Sequence, residues 1–285
     1  MTENVFFHGG GYYAFCNYVG SIKRLYQEYK NPSGWLFNKE VHFYGNSAGA
    51  VAALMCYMVF NDLITIEFVE QMMTGDNNIL DKPLPPTLSL TPRCFATVDY
   101  FLPHWPTDLH ARITDKVFIG VTTETGHDFV SRFESNYYLG NALACSGTIV
   151  GLTTYDAKID NQPCLDGEIR FSYDRLPRNA IILECPFWFP LSITVPPIAI
   201  RQLVIDIGFS SVNKAMTAEA HTPLPELFDE KAIEWLFKIY KVSYKNPMWN
   251  VHIMLHTHCP WPAPLQVKLF DLLNYAYYTL LNHRN

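Results

Sequence analysis

Ser47 lies in the run Gly45-Asn46-Ser47-Ala48-Gly49, between the strand-like Val41-His42-Phe43-Tyr44 and a strongly apolar helical run, Val51 to Phe60. A serine flanked by glycines where a strand turns sharply into a helix has the pattern of a nucleophile elbow. The turn is strained and its neighbours pass close, so a side chain at Gly45 or Gly49 would clash. The helix that follows aims its positive end at the serine and favours developing negative charge. A Gly-rich strand-to-helix turn with a bystander serine has the same letters, so the chemistry depends on what surrounds it.

Near the start of the chain, Val5-Phe6-Phe7 runs into His8-Gly9-Gly10-Gly11, and a helical pattern follows with Tyr12, Phe15, Val19, Ile22 and Tyr26 on one face. A strand, a triple glycine and a helix make a loop whose bare N–H groups can converge on an anion, as an oxyanion hole requires. The loop lacks the Lys-Ser/Thr ending of a P-loop. Gly9, Gly11 and Ala14 match a dinucleotide fingerprint only loosely, with no acidic strand end at the expected distance. A third element is Leu165-Asp166-Gly167, which sets a carboxylate where an apolar strand ends on a glycine, facing a neighbouring strand's tip. An ordinary Asp-Gly turn reads the same way.

The elements around these residues follow from periodicity. Leu63 to Met73 reads as a second helix, and Asn77 to Pro106, rich in Pro and turn residues, as an irregular lid or binding segment. Lys116 to Thr122 and Asp128 to Phe133 alternate as strands joined through Thr125-Gly126. Asn136 to Cys145 is helical, and Asp160-Asn161-Gln162 turns a hairpin between Thr153–Ile159 and Pro163–Leu165. Asn179 to Glu184 is a buried strand; Ile200 to Met216, Leu224 to Val242 and Leu265 to Asn282 are helices. With no repeats and no clear linker, residues 1–285 are expected to form one α/β domain.

Composition narrows the classes. At 285 residues, 49% hydrophobic and 15% aromatic, the chain is expected to build a sizeable core. A net charge of −6 argues against nucleic acid, which needs a basic surface. The first residues show no basic n-region or cleavage signal, so a cytoplasmic location is expected. The seven cysteines are scattered without any Cys-x-x-Cys, as buried reduced thiols would be. The longest apolar stretch, Cys185 to Phe209, is broken by Pro186, Pro190, Pro196 and Pro197. A spanning helix needs about 20 apolar residues without such breaks. Its Phe187, Trp188, Phe189, Leu191 and Ile193 fit either a lipid surface or core filling under a loop.

Glycine loop, Gly-x-Ser-x-Gly and Asp-Gly, in that order, resemble the patatin-like phospholipases, which use a Ser–Asp dyad without histidine. Leu143-Ala144-Cys145-Ser146-Gly147 looks like the family's Ala-Ser segment ahead of its catalytic aspartate, and Val117 to Gly126 looks like the strand before it. The spacing and the Pro103-to-Leu109 region look most like the branch of adipose triglyceride lipase and adiponutrin. The resemblance covers residues 5–185 well and the helical part, 200–285, loosely. It implies a three-layer αβα fold with a mainly parallel sheet and a helical C-terminal part. Ser47 would be the nucleophile, Asp166 its base, and the backbone of Gly9, Gly10 and Gly11 the oxyanion hole. The implied substrate is a lipid ester, a phospholipid or acylglycerol, met at a peripheral membrane or lipid-droplet surface. No cofactor or metal is implied, and activity should be calcium-independent.

Departures from the family pattern are Glu168, where a Gly or Ala usually stands; Val150, where a proline is usual; and Tyr12-Tyr13-Ala14 in place of a basic residue. Glu168 is expected to point away from the site. One rival is an α/β-hydrolase with a Ser–Asp–His triad, suggested by His8-Gly9-Gly10-Gly11 and by His221, His252, His256, His258 and His283 after the acid. That fold places several strands before its nucleophile, and only about forty residues precede Ser47. His252, His256, His258 and Cys259 fit no strong metal spacing. A lipid-binding protein that keeps the fold without turnover is the remaining alternative.

Overall fold

A computed structural model of the protein describes residues 2–76, 78–81, 94–95, 97–98, 100, 102–150, 153, 157–187, 195–221, 228–242, 248, 251, 255 and 263–282. A mixed, mostly parallel sheet forms its centre. Strands β1 (Thr2–Phe7), β2 (Glu40–Asn46), β3 (Val117–Thr122) and β8 (Ile181–Leu183) run parallel in the order β3-β2-β1-β8. Strand β4 (His127–Val130) closes one edge antiparallel to β3, and β9 (Met216–Thr217) closes the other antiparallel to β8. A two-residue strand, β7 (Leu165–Asp166), also pairs antiparallel with β3. A separate hairpin pairs β5 (Lys158–Ile159) with β6 (Gln162–Pro163). Its turn residues, Asp160 at φ 48° and Asn161 at φ 62°, take the positive φ that a two-residue hairpin turn demands. Gln162, expected in the turn, belongs to the strand.

The parallel order follows from the connections. Helix α1 (Gly11–Lys30) carries the chain from β1 to β2, and α2 (Ala48–Phe60) with α3 (Ile66–Thr74) leads away from β2. α2 is apolar around nearly its whole circumference, as a helix enclosed on all sides must be. Leu54, Met55, Cys56 and Met58 have no solvent exposure and share one core with Val5, Phe7, Phe43, Val117 and Ile119 of the sheet. Burying a side chain of that size stabilises the fold by roughly 1.5–3 kcal/mol. The alternate residues Phe6, Tyr44 and Ile182 point to the opposite face. There they pack with Tyr173, Leu176 and Ala180, and with half-buried Phe118, Phe129 and Phe171.

Helices α4 (Leu109–Arg112) and α5 (Asn136–Ser146) flank β3 and β4, and α6 (Ile198–Ser211) lies against α1. The Asn17 amide donates to Val204 O at 3.1 Å and the Ser21 hydroxyl to Gly208 O at 3.1 Å, fastening those two helices. Arg201 is buried and binds Asp81 through both carboxylate oxygens, with Pro196 O, Met73 O and Asn78 Oδ1 meeting its other donors. The chain ends in α7 (Glu230–Val242) and α8 (Ala263–Asn282). Among the described residues, no helix is long and apolar enough to cross a membrane.

Two expectations change. The helix expected over Ile200 to Met216 stops at Ser211, and Met216–Thr217 forms β9. Ser210 and Ser211 turn their hydroxyls back onto helix carbonyls, and the open edge of β8 takes the following residues as a strand. Within the segment expected to be irregular, Cys94, Phe95, Thr97, Val98 and Tyr100 are helical, because Phe95, Val98 and Leu102 recur on one buried face. Residues 82–93, the heart of the expected lid, lie outside the described residues. So do Trp188, Phe189, Leu191 and Ile193, while Phe187 packs on Tyr13 with ring centroids 5.0 Å apart.

Candidate active site

The sheet register brings Ser47 and Asp166 together. β2 pairs with β3 as far as Asn46 opposite Gly120, and there the chain turns away into α2. Val121, the next residue of β3, pairs with Asp166, and Thr122 pairs with Leu165. Both residues already have β4 on their other edge, so β7 lies in the lane that β2 vacates. Asp166 therefore stands where the next residue of β2 would have stood, beside the elbow. The glycine loop emerges alongside, since Phe7 at the end of β1 pairs with Gly45.

Ser47 holds φ 52° and ψ −126°, a conformation that L-residues rarely adopt and that sets the hydroxyl at the tip of the turn. The flanking glycines are there for space. A Cβ on Gly45 would lie 2.1 Å from Gly49 O, and one on Gly49 would lie 2.0 Å from Phe7 O. Ser146, at the end of α5, braces the turn. Its hydroxyl accepts from Ser47 N–H at 2.8 Å and donates to Gly120 O at 2.6 Å. The segment after α5 also carries Asp166, whose N–H donates to Thr148 O at 2.8 Å, while Gly167 N–H donates to Ser146 O at 3.2 Å.

The Asp166 carboxyl is buried, in the kind of surrounding that a carboxylate base would need. Burial pushes its pKa up from 3.8 to about 7, and the nearby Glu168 charge adds to the rise. The Glu168 N–H, donating to Oδ1 at 3.0 Å, and the Ser47 hydroxyl both favour the ionised form and hold the rise in check. No donor meets Oδ2 with full hydrogen-bond geometry among the described residues. The Ser47 contact is thus a loose one, as such contacts often are before substrate binds. A carboxyl near pKa 7 is a competent base in neutral water.

Gly10 at φ 147° and Gly11 at φ 71° give the loop a path only glycine follows easily. Their N–H groups open the N-terminus of α1 and have no partner among the described residues. Gly9 differs. Its N–H donates to Glu168 Oε1 at 2.6 Å, and Glu168 Oε2 lies 3.2 Å from His8 Nε2. Glu168, expected to point away, turns into the site, because its backbone follows Asp166 directly beneath the glycine loop. His8 is steadied by Phe6, Phe171 and Tyr173, and its carbonyl accepts from the Tyr18 hydroxyl at 2.5 Å.

No histidine reaches Asp166 among the described residues. His221 lies 3.0 Å from Glu184 Oε1, and the other histidines expected for a triad lie outside the described residues. His127 is buried, with its pKa pushed down to about 4, and faces Asn46 Oδ1 at 3.4 Å. Among the described residues, no three His, Cys, Asp or Glu side chains gather as a metal site needs; His252, His256, His258 and Cys259 lie outside them. Two residues near the site carry little sequence signal for their parts in it. Ser146 stands out only through the Ala-Ser resemblance, which gives no sign that it braces the elbow, and Asn46 reads as elbow filler. Compared with models of known protein families and with curated protein sequences, the chain matches none.

Proposed function

We propose that the protein is a serine acyl hydrolase of the patatin-like type, with a three-layer αβα fold, cleaving carboxylic esters of lipids. The observation that carries this reading is a strained elbow serine beside a buried carboxyl whose pKa stands near 7. In the mechanism, Asp166 takes the Ser47 proton as the hydroxyl oxygen attacks the ester carbonyl carbon. The oxyanion so formed is held by the N–H groups of the glycine loop, each such donor contributing about 3 kcal/mol. The alcohol leaves, taking the proton from Asp166. Water, deprotonated by the same carboxylate, then attacks the acyl-serine, and the fatty acid is released as Asp166 returns the proton to the departing Ser47 oxygen.

Exposed apolar side chains on the described helices support contact with a lipid aggregate. Ile198 and Leu203 on α6, and Leu272, Tyr275 and Leu280 on α8, are exposed. Peripheral contact with a membrane or lipid droplet is part of the proposal, with no nucleic acid, no cofactor and no dependence on calcium. A chelator should leave turnover intact.

The direct test is labelling by a fluorophosphonate probe. Wild type and His256→Ala should label, and Ser47→Ala should not. Loss in both variants would point to a Ser–Asp–His triad. Ser146→Ala should label at least about tenfold more slowly and lose roughly 1–3 kcal/mol of stability, since it strands both Ser47 N–H and Gly120 O. Equal labelling and an equal urea midpoint would show that the brace is dispensable.

A second reading, a lipid-binding protein without turnover, is favoured by one observation: Glu168 occupies the Gly9 N–H. A folded wild type that never labels but binds lipid vesicles would establish it.

A further inference from the structure

Gly9 is packed against the Glu168 side chain. Its φ lies outside the positive range that Gly10 and Gly11 adopt, so conformation does not require it. A Cβ there would lie 2.5 Å from Glu168 Cγ and 2.8 Å from Glu168 Oε1. The space left by the missing side chain is filled by the Glu168 carboxylate. That carboxylate takes the Gly9 N–H at 2.6 Å and reaches His8 Nε2 at 3.2 Å. It is an anion in contact with one of the donors that the reaction would offer to its own anion.

We infer that Glu168 is an internal plug of the oxyanion hole, which the substrate's carbonyl oxygen must displace from Gly9 before full transition-state stabilisation is available. The inference rests on Ser47 being the nucleophile. With the plug seated, only the N–H groups of Gly10 and Gly11 face an incoming carbonyl. With it withdrawn, the Gly9 N–H joins them. The side chain is partly exposed, and its aliphatic stem can swing the carboxylate away from the Gly9 N–H. His8 Nε2, from the same loop, lies 3.2 Å from the second oxygen without hydrogen-bond geometry, so the Gly9 N–H is the contact that seats the plug.

A hydrogen bond to a charged acceptor is roughly twice as strong as a neutral one. Removing the charge should therefore weaken the plug, and removing the side chain should abolish it. The experiment compares second-order labelling of Ser47 by a fluorophosphonate in wild type, Glu168→Gln, Glu168→Ala and Ser47→Ala, with a thermal melt of each. Glu168→Ala should label about tenfold faster than wild type, and Glu168→Gln should fall between them. If Glu168→Ala melts early, the Gln variant, which keeps the shape, decides alone. Folded variants labelling no faster than a labelling wild type would overturn the plug and leave the serine hydrolase standing. Absence of Ser47 labelling in every variant would overturn both.

Discussion

Asp166→Asn should abolish turnover and, above pH 7, raise the melting temperature of the protein. Both effects come from one buried carboxyl whose pKa stands at about 7 against 3.8 in an open chain. An amide cannot take the Ser47 proton, so kcat should fall by roughly 10²- to 10⁴-fold, the range typical of a lost general base. Wild-type kcat should climb with pH as Asp166 ionises, with a midpoint near 7 if this group alone governs it. The stability sign is opposite. Between the two pKa values the folded protein binds a proton that the unfolded chain has released. The contribution is therefore fully present below the unfolded value, and it is lost as pH rises through 7. The full difference is on the order of 4 kcal/mol. An asparagine never charges, so the variant escapes this loss: it should melt well above wild type at pH 8, and the gap should close near pH 4. A variant that melts lower at pH 8 would assign Asp166 a purely structural part, and a rate flat across neutral pH would remove it as the base.

Gly49→Ala should cost the fold more than about 3 kcal/mol and take Ser47 labelling with it. The added methyl would stand 2.0 Å from Phe7 O, 2.6 Å from Phe7 C and 2.7 Å from His8 O. These are backbone atoms at the end of a central strand, and no rotamer change relieves the contact. Helix α2 would have to lift from β1, parting the elbow from the glycine loop in the act. Gly126→Ala is the matching control, since nothing lies within 4 Å of a methyl there. Its urea midpoint should stay close to wild type. If Gly49→Ala unfolded at the wild-type midpoint, the close packing of elbow against loop would be wrong.

The parts that were legible in the sequence are those set by local rules. Glycines bracketing Ser47 announce a sharp turn, and an apolar run such as Val51 to Phe60 announces a buried helix. Where partners come from far along the chain, the letters fall silent. Leu165-Asp166 is too short to show a period, and its place beside β3 is a matter of register. The orientation of Glu168 depends on a missing side chain at Gly9, more than a hundred residues earlier, and an Asp-Gly-Glu string holds no trace of it. Met216 reads as helix by composition, yet an unpaired edge of β8 makes it a strand. Phe95, Val98 and Leu102 have helical spacing, but the surrounding prolines and turn residues mask it.

Strand β7 occupying the lane that β2 leaves has a consequence for how this protein can vary. Asp166 is set beside Ser47 by a pairing two residues long and by its N–H bond to Thr148 O, so the length of the hairpin between Thr148 and β7 does not set the alignment. Insertions in the Asp160-Asn161 hairpin tip extend a surface turn and leave the alignment untouched. A single residue added between Leu165 and Asp166 is another matter. It would shift the carboxylate by one strand step of about 3.3 Å and turn it to the other face of the sheet. Loop grafting should therefore be tolerated at the Asp160-Asn161 tip, and not within β7 itself.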